Sequence, residues 1–212
     1  MRKLRSYKLV IFDFDGTVTD SFPVFLSILS KVTNKYNLYS VDVNNHKEVE
    51  MFRSMNTLNI LKKLGVTKVK LPFVVSYTRA LMYEHCDNIR LIPEVIVAAK
   101  ELSSYGVKVA IVSSSTNSYI ASVLGEHDMS IFDEIASGVS IFGKASKIKA
   151  ICRRAGIEGK DAILIGDEVR DEAAAAAANI HFTAVLWGYN NASSFNDKTP
   201  FLETPHNLLE LI

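Results

Sequence analysis

The chain is poor in the residues that mark several protein classes. Its two cysteines, Cys86 and Cys152, are too few and too far apart for a disulfide framework. They read as buried or free thiols of a reducing compartment, so the expectation is a soluble cytoplasmic protein. The five histidines, His46, His85, His127, His181 and His206, share no metal-ligand spacing and read as structural or solvated. An excess of charge of one sign is also missing. Twenty-four Lys and Arg against 23 Asp and Glu give a formal net charge of +1, which provides no basis for a nucleic-acid partner or an anionic membrane surface. The basic start Met1-Arg2-Lys3-Leu4-Arg5 has no signal-peptide apolar region of its own, and the apolar run that follows it, Leu9 to Phe12, is far too short to span a bilayer. No internal repeat is visible.

What is present is apolar. At 212 residues and 48% hydrophobic content the chain can bury a substantial core, as one domain or as a larger core with a smaller insertion. Leu9-Val10-Ile11-Phe12 reads as a strand buried on both faces, and it stops at Asp13-Phe14-Asp15-Gly16. Alternation puts Asp13 and Asp15 on one side with Phe14 opposite, and Gly16 permits a tight turn with backbone N–H groups close to a ligand. Two carboxylates this close repel unless a cation or proton joins them. From these four residues alone, a solvated turn after a strand is an equal reading.

From Ser21 the period becomes helical, with Phe22, Phe25, Leu26, Leu29 and Val32 on one face. Further helical signals follow: Leu58, Leu61 and Leu64 closed by Gly65, then Phe73, Tyr77, Leu81, Met82 and Tyr83, with no convincing strand. Aromatic residues here, including Phe52, Phe73 and Tyr77, read as core, and Arg53 and Arg79 as candidate anion contacts. Residues 21–87 therefore form an expected all-helical cap inserted after the first strand, leaving 1–20 and 88–212 as the core. In that core, a helix from Pro93 carries Val95, Ala98, Ala99 and Leu102, and a strand over 107–112 stops at Ser113-Ser114-Ser115-Thr116-Asn117. Ile120, Val123 and Leu124 mark a helix, 132–137 a short strand, and Ile148, Ile151 and Cys152 a helix after Lys144. Asp161-Ala162-Ile163-Leu164-Ile165 is another buried strand, ending in Gly166-Asp167-Glu168-Val169-Arg170-Asp171. Six alanines at 173–178 make a tightly packed helix, 182–187 the last strand, and 208–212 a closing helix. Strands alternating with helices predict an α/β fold, a doubly wound parallel sheet covered on both faces.

In such a sheet ligands sit beyond the carboxyl ends of the strands, where Asp13, Asp15, Ser113, Asp167 and Asp171 should converge. An oxygen-rich acidic rim suits Mg²⁺. Ser113 and the amides after it can donate to phosphate oxygens, and Lys144 can neutralise remaining charge, so the constellation fits a phosphoryl group. A carboxylate can attack phosphorus, and a second one two residues on can protonate the leaving oxygen and then activate water. Ser114, Ser115 and Thr116 otherwise read mostly as a turn and N-cap, and Glu168 and Arg170 as a helix-start acid and its local salt-bridge partner.

Four segments in order, Asp-Phe-Asp-Gly-Thr-Val at 13–18, Val-Ser-Ser-Ser at 112–115, Lys144 in Phe142-Gly143-Lys144 and Gly-Asp-Glu-Val-Arg-Asp at 166–171, resemble the haloacid dehalogenase-like hydrolase superfamily on its phosphatase side. Trp187-Gly188-Tyr189 and the 205–209 segment are similar to phosphoglycolate-phosphatase-like members. The resemblance implies a HAD-type Rossmann-like core with a mobile cap, and Asp13 as nucleophile and metal ligand. It makes Asp15 the general acid/base, its backbone carbonyl also on the metal, and Asp167 a direct ligand with Asp171 in the outer shell. Asp15, Gly16, Ser113, Ser114 and Lys144 would hold phosphate, with Lys147 a second candidate for the third-motif lysine. The expected function is a Mg²⁺-dependent phosphatase acting on a small phosphorylated metabolite through an aspartyl-phosphate. The alternatives are a sugar phosphomutase or phosphotransferase with the same nucleophile, and a receiver-type phospho-accepting module.

Overall fold

A computed structural model of the chain describes residues 7–138 and 143–211. The basic start, Phe142 and Ile212 lie outside these residues. In chain order the elements are β1 (Leu9–Phe12), β2 (Thr19–Asp20), α1 (Phe22–Lys35), α2 (His46–Arg53), α3 (Thr57–Leu64), α4 (Leu71–Glu84), β3 (Arg90–Leu91) and α5 (Pro93–Ser104). They continue with β4 (Lys108–Val112), α6 (Asn117–Met129), β5 (Glu134–Ala136), α7 (Lys144–Ala155), β6 (Ala162–Gly166), α8 (Val169–Ala178), β7 (His181–Val185) and β8 (Phe201–Leu202).

Six strands form one sheet in the order β5-β4-β1-β6-β7-β8, every neighbouring pair parallel. Parallel strands covered on both faces need apolar side chains on both, and β1, at the centre, is buried at all four positions. Its alternation divides the interior. Val10 and Phe12 join Val109, Ile111, Ile163 and Ile165 in a core closed by α5 and α6. Leu9 and Ile11 join Ala110, Val112 and Leu164 in a second core closed by α7 and α8. Ala174, Ala175 and Ala178 form the buried side of α8, so the alanine run lets that helix sit close to the sheet. The expected α/β doubly wound parallel sheet is therefore present, with helices on both faces.

Helices α1–α4 lie between β2 and β3 as a cap-like insertion. β2 and β3 pair antiparallel, Thr19 with Leu91 and Asp20 with Arg90, so the chain leaves for the insertion and returns from it side by side. Neither two-residue strand was expected, and neither was β8, which adds a sixth strand beyond β7. Pairs this short leave no periodic trace in a sequence. The final segment is a 3₁₀ helix over Pro205–Leu211, starting earlier than the expected closing helix.

Candidate active site

The carboxyl ends of β1 and β6 deliver the acids. Asp13 continues β1, its N–H donating to the Ile165 carbonyl at 2.8 Å, and its side chain falls on the α7 side by the same alternation as Leu9 and Ile11. There it meets Lys144, whose Nζ lies 2.6 Å from Asp13 Oδ2 and 2.6 Å from Asp171 Oδ1. Lys144 is the first residue of α7, where a helix dipole disfavours positive charge; the two carboxylates supply the compensation. Asp171 has a second task at the start of α8. Its Oδ2 accepts the Glu168 N–H at 3.1 Å in a capping box, so one side chain fixes both the helix start and the lysine.

Asp167 accepts from the Thr17 hydroxyl at 2.8 Å and from the Tyr189 N–H at 2.8 Å. Space for it is made by glycine. At Gly16, φ is +79° and a Cβ would collide with the Asp167 carboxylate and the Tyr189 ring; at Gly188 a Cβ would collide with Asp167 again. One oxygen from each of Asp13, Asp167 and Asp171 lies within 4.8 Å of the others, and all three residues are buried.

Two of the three buried carboxylates, Asp13 and Asp171, share one buried ammonium, and the charge states respond. Burial, reinforced by Asp171 and opposed by Lys144, pushes the Asp13 carboxyl up to about 7. Burial and the charges of Asp13 and Glu168 hold Asp167 well above the ordinary carboxylate value. Burial acts against the Lys144 ammonium, but Asp13 and Asp171 outweigh it and raise its pKa. Hard oxygen donors with negative charge in excess of their protein cation fit a metal ion, which would favour the ionised form of the acids that burial disfavours.

Asp15 does not join this cluster. Its carboxylate accepts from the Ser115 hydroxyl at 2.5 Å and the Tyr119 hydroxyl at 2.7 Å, separating it in environment from Asp13 two residues away. Burial and the Asp15 charge raise the Tyr119 pKa, keeping its phenol protonated and able to donate. Ser113 is buried and its Oγ accepts the Ser115 N–H at 3.0 Å, ordering the turn; Thr116 caps α6 by accepting from the Tyr119 N–H. Ser114 lines the cavity beside Asp15, and Lys147 is exposed, away from the acids that Lys144 joins.

Ser115, read only as a turn residue, and Tyr119, not singled out, are the side chains that hold Asp15. The available signal was their spacing of four residues across the start of α6, which brings both to one side of that loop. Arg53 is held by protein partners: it donates to Gly188 O at 2.9 Å and Tyr189 O at 3.2 Å and pairs with Glu50 at 2.8 Å. It therefore pins α2 to the loop beside Asp167. Asn190 joins from the core, its side-chain amide donating to the Arg53 and Met55 carbonyls at 2.9 and 3.0 Å. Arg170 pairs with Glu168, as expected of a local partner. Over Asp15, between the core rim and α1–α4, lies a cavity of about 300 Å³.

Comparison with known proteins agrees with this arrangement. The chain is 25% identical over 206 residues to a phosphoglycolate phosphatase of Synechococcus elongatus, covering 96% of each protein, and 24% identical over 210 residues to one of Aliivibrio fischeri, covering 91% of this chain and 90% of that protein. Among solved structures, a haloacid dehalogenase-like family hydrolase from Streptococcus pneumoniae superposes with a TM-score of 0.76 at 20% identity, over 97% of this chain and 98% of that one. Protein Tyrosine Kinase A of Mycobacterium tuberculosis gives 0.73 at 22% identity over 97% of each, so the fold alone does not set the reaction. Residues 10–185 match the haloacid dehalogenase-like hydrolase family, and with its aspartate cluster at the ends of β1 and β6 the chain belongs to that family as an enzyme of the phosphatase type.

Proposed function

We propose that the protein is a Mg²⁺-dependent phosphatase that hydrolyses a small phosphorylated metabolite through a phosphorylated Asp13. The observation that carries the reading is the division of labour between two carboxylates two residues apart: Asp13 shares a buried ammonium with Asp171, whereas Asp15 stands apart under two hydroxyl donors. In the first half-reaction an Asp13 oxygen forms a bond to phosphorus as the ester P–O bond breaks, and Asp15 gives a proton to the leaving alkoxide. In the second, Asp15 takes a proton from water as its oxygen attacks the acyl phosphate, which releases inorganic phosphate and restores the Asp13 carboxylate. Lys144 keeps Asp13 oriented and offsets phosphoryl charge, and the Ser113 and Ser114 segment with Gly16 receives the phosphoryl oxygens.

Mg²⁺ would be held by the Asp13 and Asp167 carboxylates and the Asp15 backbone carbonyl, with Asp171 in the outer shell, and would supply charge neutralisation at the phosphoryl oxygens. The division into a core of 1–20 and 88–212 and a cap of 21–87 belongs to the same proposal, the cap excluding bulk water from the acyl phosphate. The family resemblance to phosphoglycolate phosphatases supports a small, singly phosphorylated substrate. Two free cysteines support a cytoplasmic setting, and among the described residues no helix is long and apolar enough to cross a membrane.

The test is phosphate release from a panel of phosphate monoesters with Mg²⁺, for the native chain and for Asp13→Asn. Release by the native chain and loss of about a thousandfold or more in the variant are expected. Unchanged turnover by Asp13→Asn would remove Asp13 as nucleophile.

A further inference from the structure

The cavity above Asp15 is a poor match for a compact, doubly anionic ester. Its catalytic end is polar, with Asp15, Ser114 and Ser115 on the core side. Away from that end it runs between the four cap helices, and its walls there are mostly apolar: Phe25, Leu29, Phe52, Ile60, Leu61 and Val75. Helices α1, α2 and α3 share only a small core, Leu29, Val41 and Leu64 with Phe25, Phe52 and Ile60 packed against it, and the cavity opens beside it. Helix α2 buries no residue and α3 buries only Leu64, although both carry apolar side chains that face the cavity. The apolar face of α1 is divided likewise. Leu29 and Val32 are buried, whereas Phe22, Phe25 and Leu26 remain half-exposed along the cavity wall.

Apolar surface in contact with water costs free energy, and a cap that only excluded solvent could have filled this space with its own side chains. Polar side chains also line the cavity: Arg53 binds Glu50 and two carbonyl groups, Arg170 binds Glu168, and Arg79 stands with Thr33, Thr57 and Thr78 among the apolar residues. Arg170 Nε is buried without a hydrogen-bond partner, so the end of the cavity by the acids retains a donor for an anionic oxygen. At about 300 Å³ the space lies at the lower end of the range for small-molecule sites and could take about ten water-sized groups of about 30 Å³.

We propose that the substrate's leaving group carries an apolar body, alkyl or aryl, which occupies this cap cavity while the phosphate sits at Asp13. The inference deepens the phosphatase reading and rests on it for the position of the phosphate. An apolar body of six to eight carbons, linked through its ester oxygen to phosphorus, displaces water from the cap walls and brings that oxygen toward Asp15. Chain length beyond the ester oxygen then sets specificity, and a second anionic group on the substrate gains little.

The test compares kcat/KM of the full chain, with Mg²⁺, on ethyl, butyl, hexyl and octyl phosphate, 1-naphthyl phosphate and 2-phosphoglycolate. A rise of about fourfold per methylene is expected until the cavity is full, making hexyl phosphate better than ethyl phosphate by about 250-fold. Phosphoglycolate is expected below hexyl phosphate. A flat response to chain length, or phosphoglycolate above hexyl phosphate, overturns the apolar-substrate inference and leaves the phosphatase reading intact. If none of the esters releases phosphate, the phosphatase reading fails, and calorimetry with ethylphosphonate and hexylphosphonate then decides the cavity assignment: tighter hexyl binding supports it, and equal binding overturns it. Leu61→Gln, or Val75→Phe should that variant not fold, is expected to lower the hexyl-to-ethyl ratio at least tenfold. Because both substrates are measured on one preparation, the ratio is independent of the fraction of folded protein, and an unchanged ratio in both variants counts against the cavity.

Discussion

The floor and the roof of the active site are built on opposite terms. Below, at the ends of β1 and β6, Asp13, Lys144, Asp167 and Asp171 are buried, and every charged group has a named partner at hydrogen-bond distance. Above, α2 and α3 bury only Leu64, in a small core with Leu29 and Val41, and border a cavity. Chemistry needs fixed charges, and their desolvation is tolerated only where packing and pairing around them are complete. Recognition can be left to a surface that the ligand itself completes. Under the proposed function, the difference places stability and reactivity in the sheet, and selectivity in the helices above it.

The comparison is broken most directly at Lys144. Lys144→Met leaves buried Asp13 and Asp171 without their shared cation, so metal-free protein at pH 8 is expected to lose about 3–5 kcal/mol in denaturant unfolding, and phosphate release about a hundredfold or more. The stability loss should shrink at pH 5, where Asp13 carries a proton. A loss below about 1 kcal/mol at pH 8 would mean that the floor is not organised around this ammonium.

Packing gives the next contrast. Leu164→Ala in the sheet is expected to cost about 2–5 kcal/mol, whereas Leu61→Ala, on the cavity wall, should cost less than about 1 kcal/mol. Equal costs in thermal or urea unfolding would show the roof to be as tightly built as the floor. Tyr119→Phe probes the seam between them. It removes one of two hydroxyl donors to the Asp15 carboxylate and is expected to lower kcat about tenfold with the fold unchanged; full activity would leave Ser115 alone sufficient.

The smallest effect concerns pH. Asp13 binds its proton more tightly folded, near 7, than at the ordinary value of 3.8. Its burial therefore costs no stability below about pH 3.8, and the cost grows as pH rises toward 7, where the folded protein must hold an ionised acid that burial disfavours. A divalent metal offsets that cost only where the acid is ionised. Mg²⁺ should raise the melting temperature by a few degrees at pH 8 and by less at pH 5, read by differential scanning fluorimetry. The same increment at both values would separate metal binding from Asp13 ionisation.

The sheet was legible because its signals are long and redundant. Leu9 to Phe12 and the 161–165 run can hardly be anything but buried strands, and each ends in acids that the parallel topology must bring together. Helix α1 was legible as a helix but not as a wall, since a 3.6-residue period reports an apolar face without saying whether protein or cavity lies opposite. Ser115 and Tyr119 were obscured for another reason: a hydroxyl near a helix start fits an N-cap as well as a hydrogen bond to a carboxylate from 100 residues away. β2, β3 and β8, at two residues each, are defined by their partners and not by their own composition.

The β2–β3 pair has a consequence for how such a protein can change. The insertion's two ends lie on adjacent antiparallel strands, about 5 Å apart, so any helical segment whose termini meet at that spacing can be spliced into the same socket without altering the order or register of the sheet. A lineage can therefore exchange the insertion while inheriting the sheet, and a designer who grafts a different roof onto Asp20 and Arg90 has the contacts of Arg53 and Met55 with the 188–190 loop to replace.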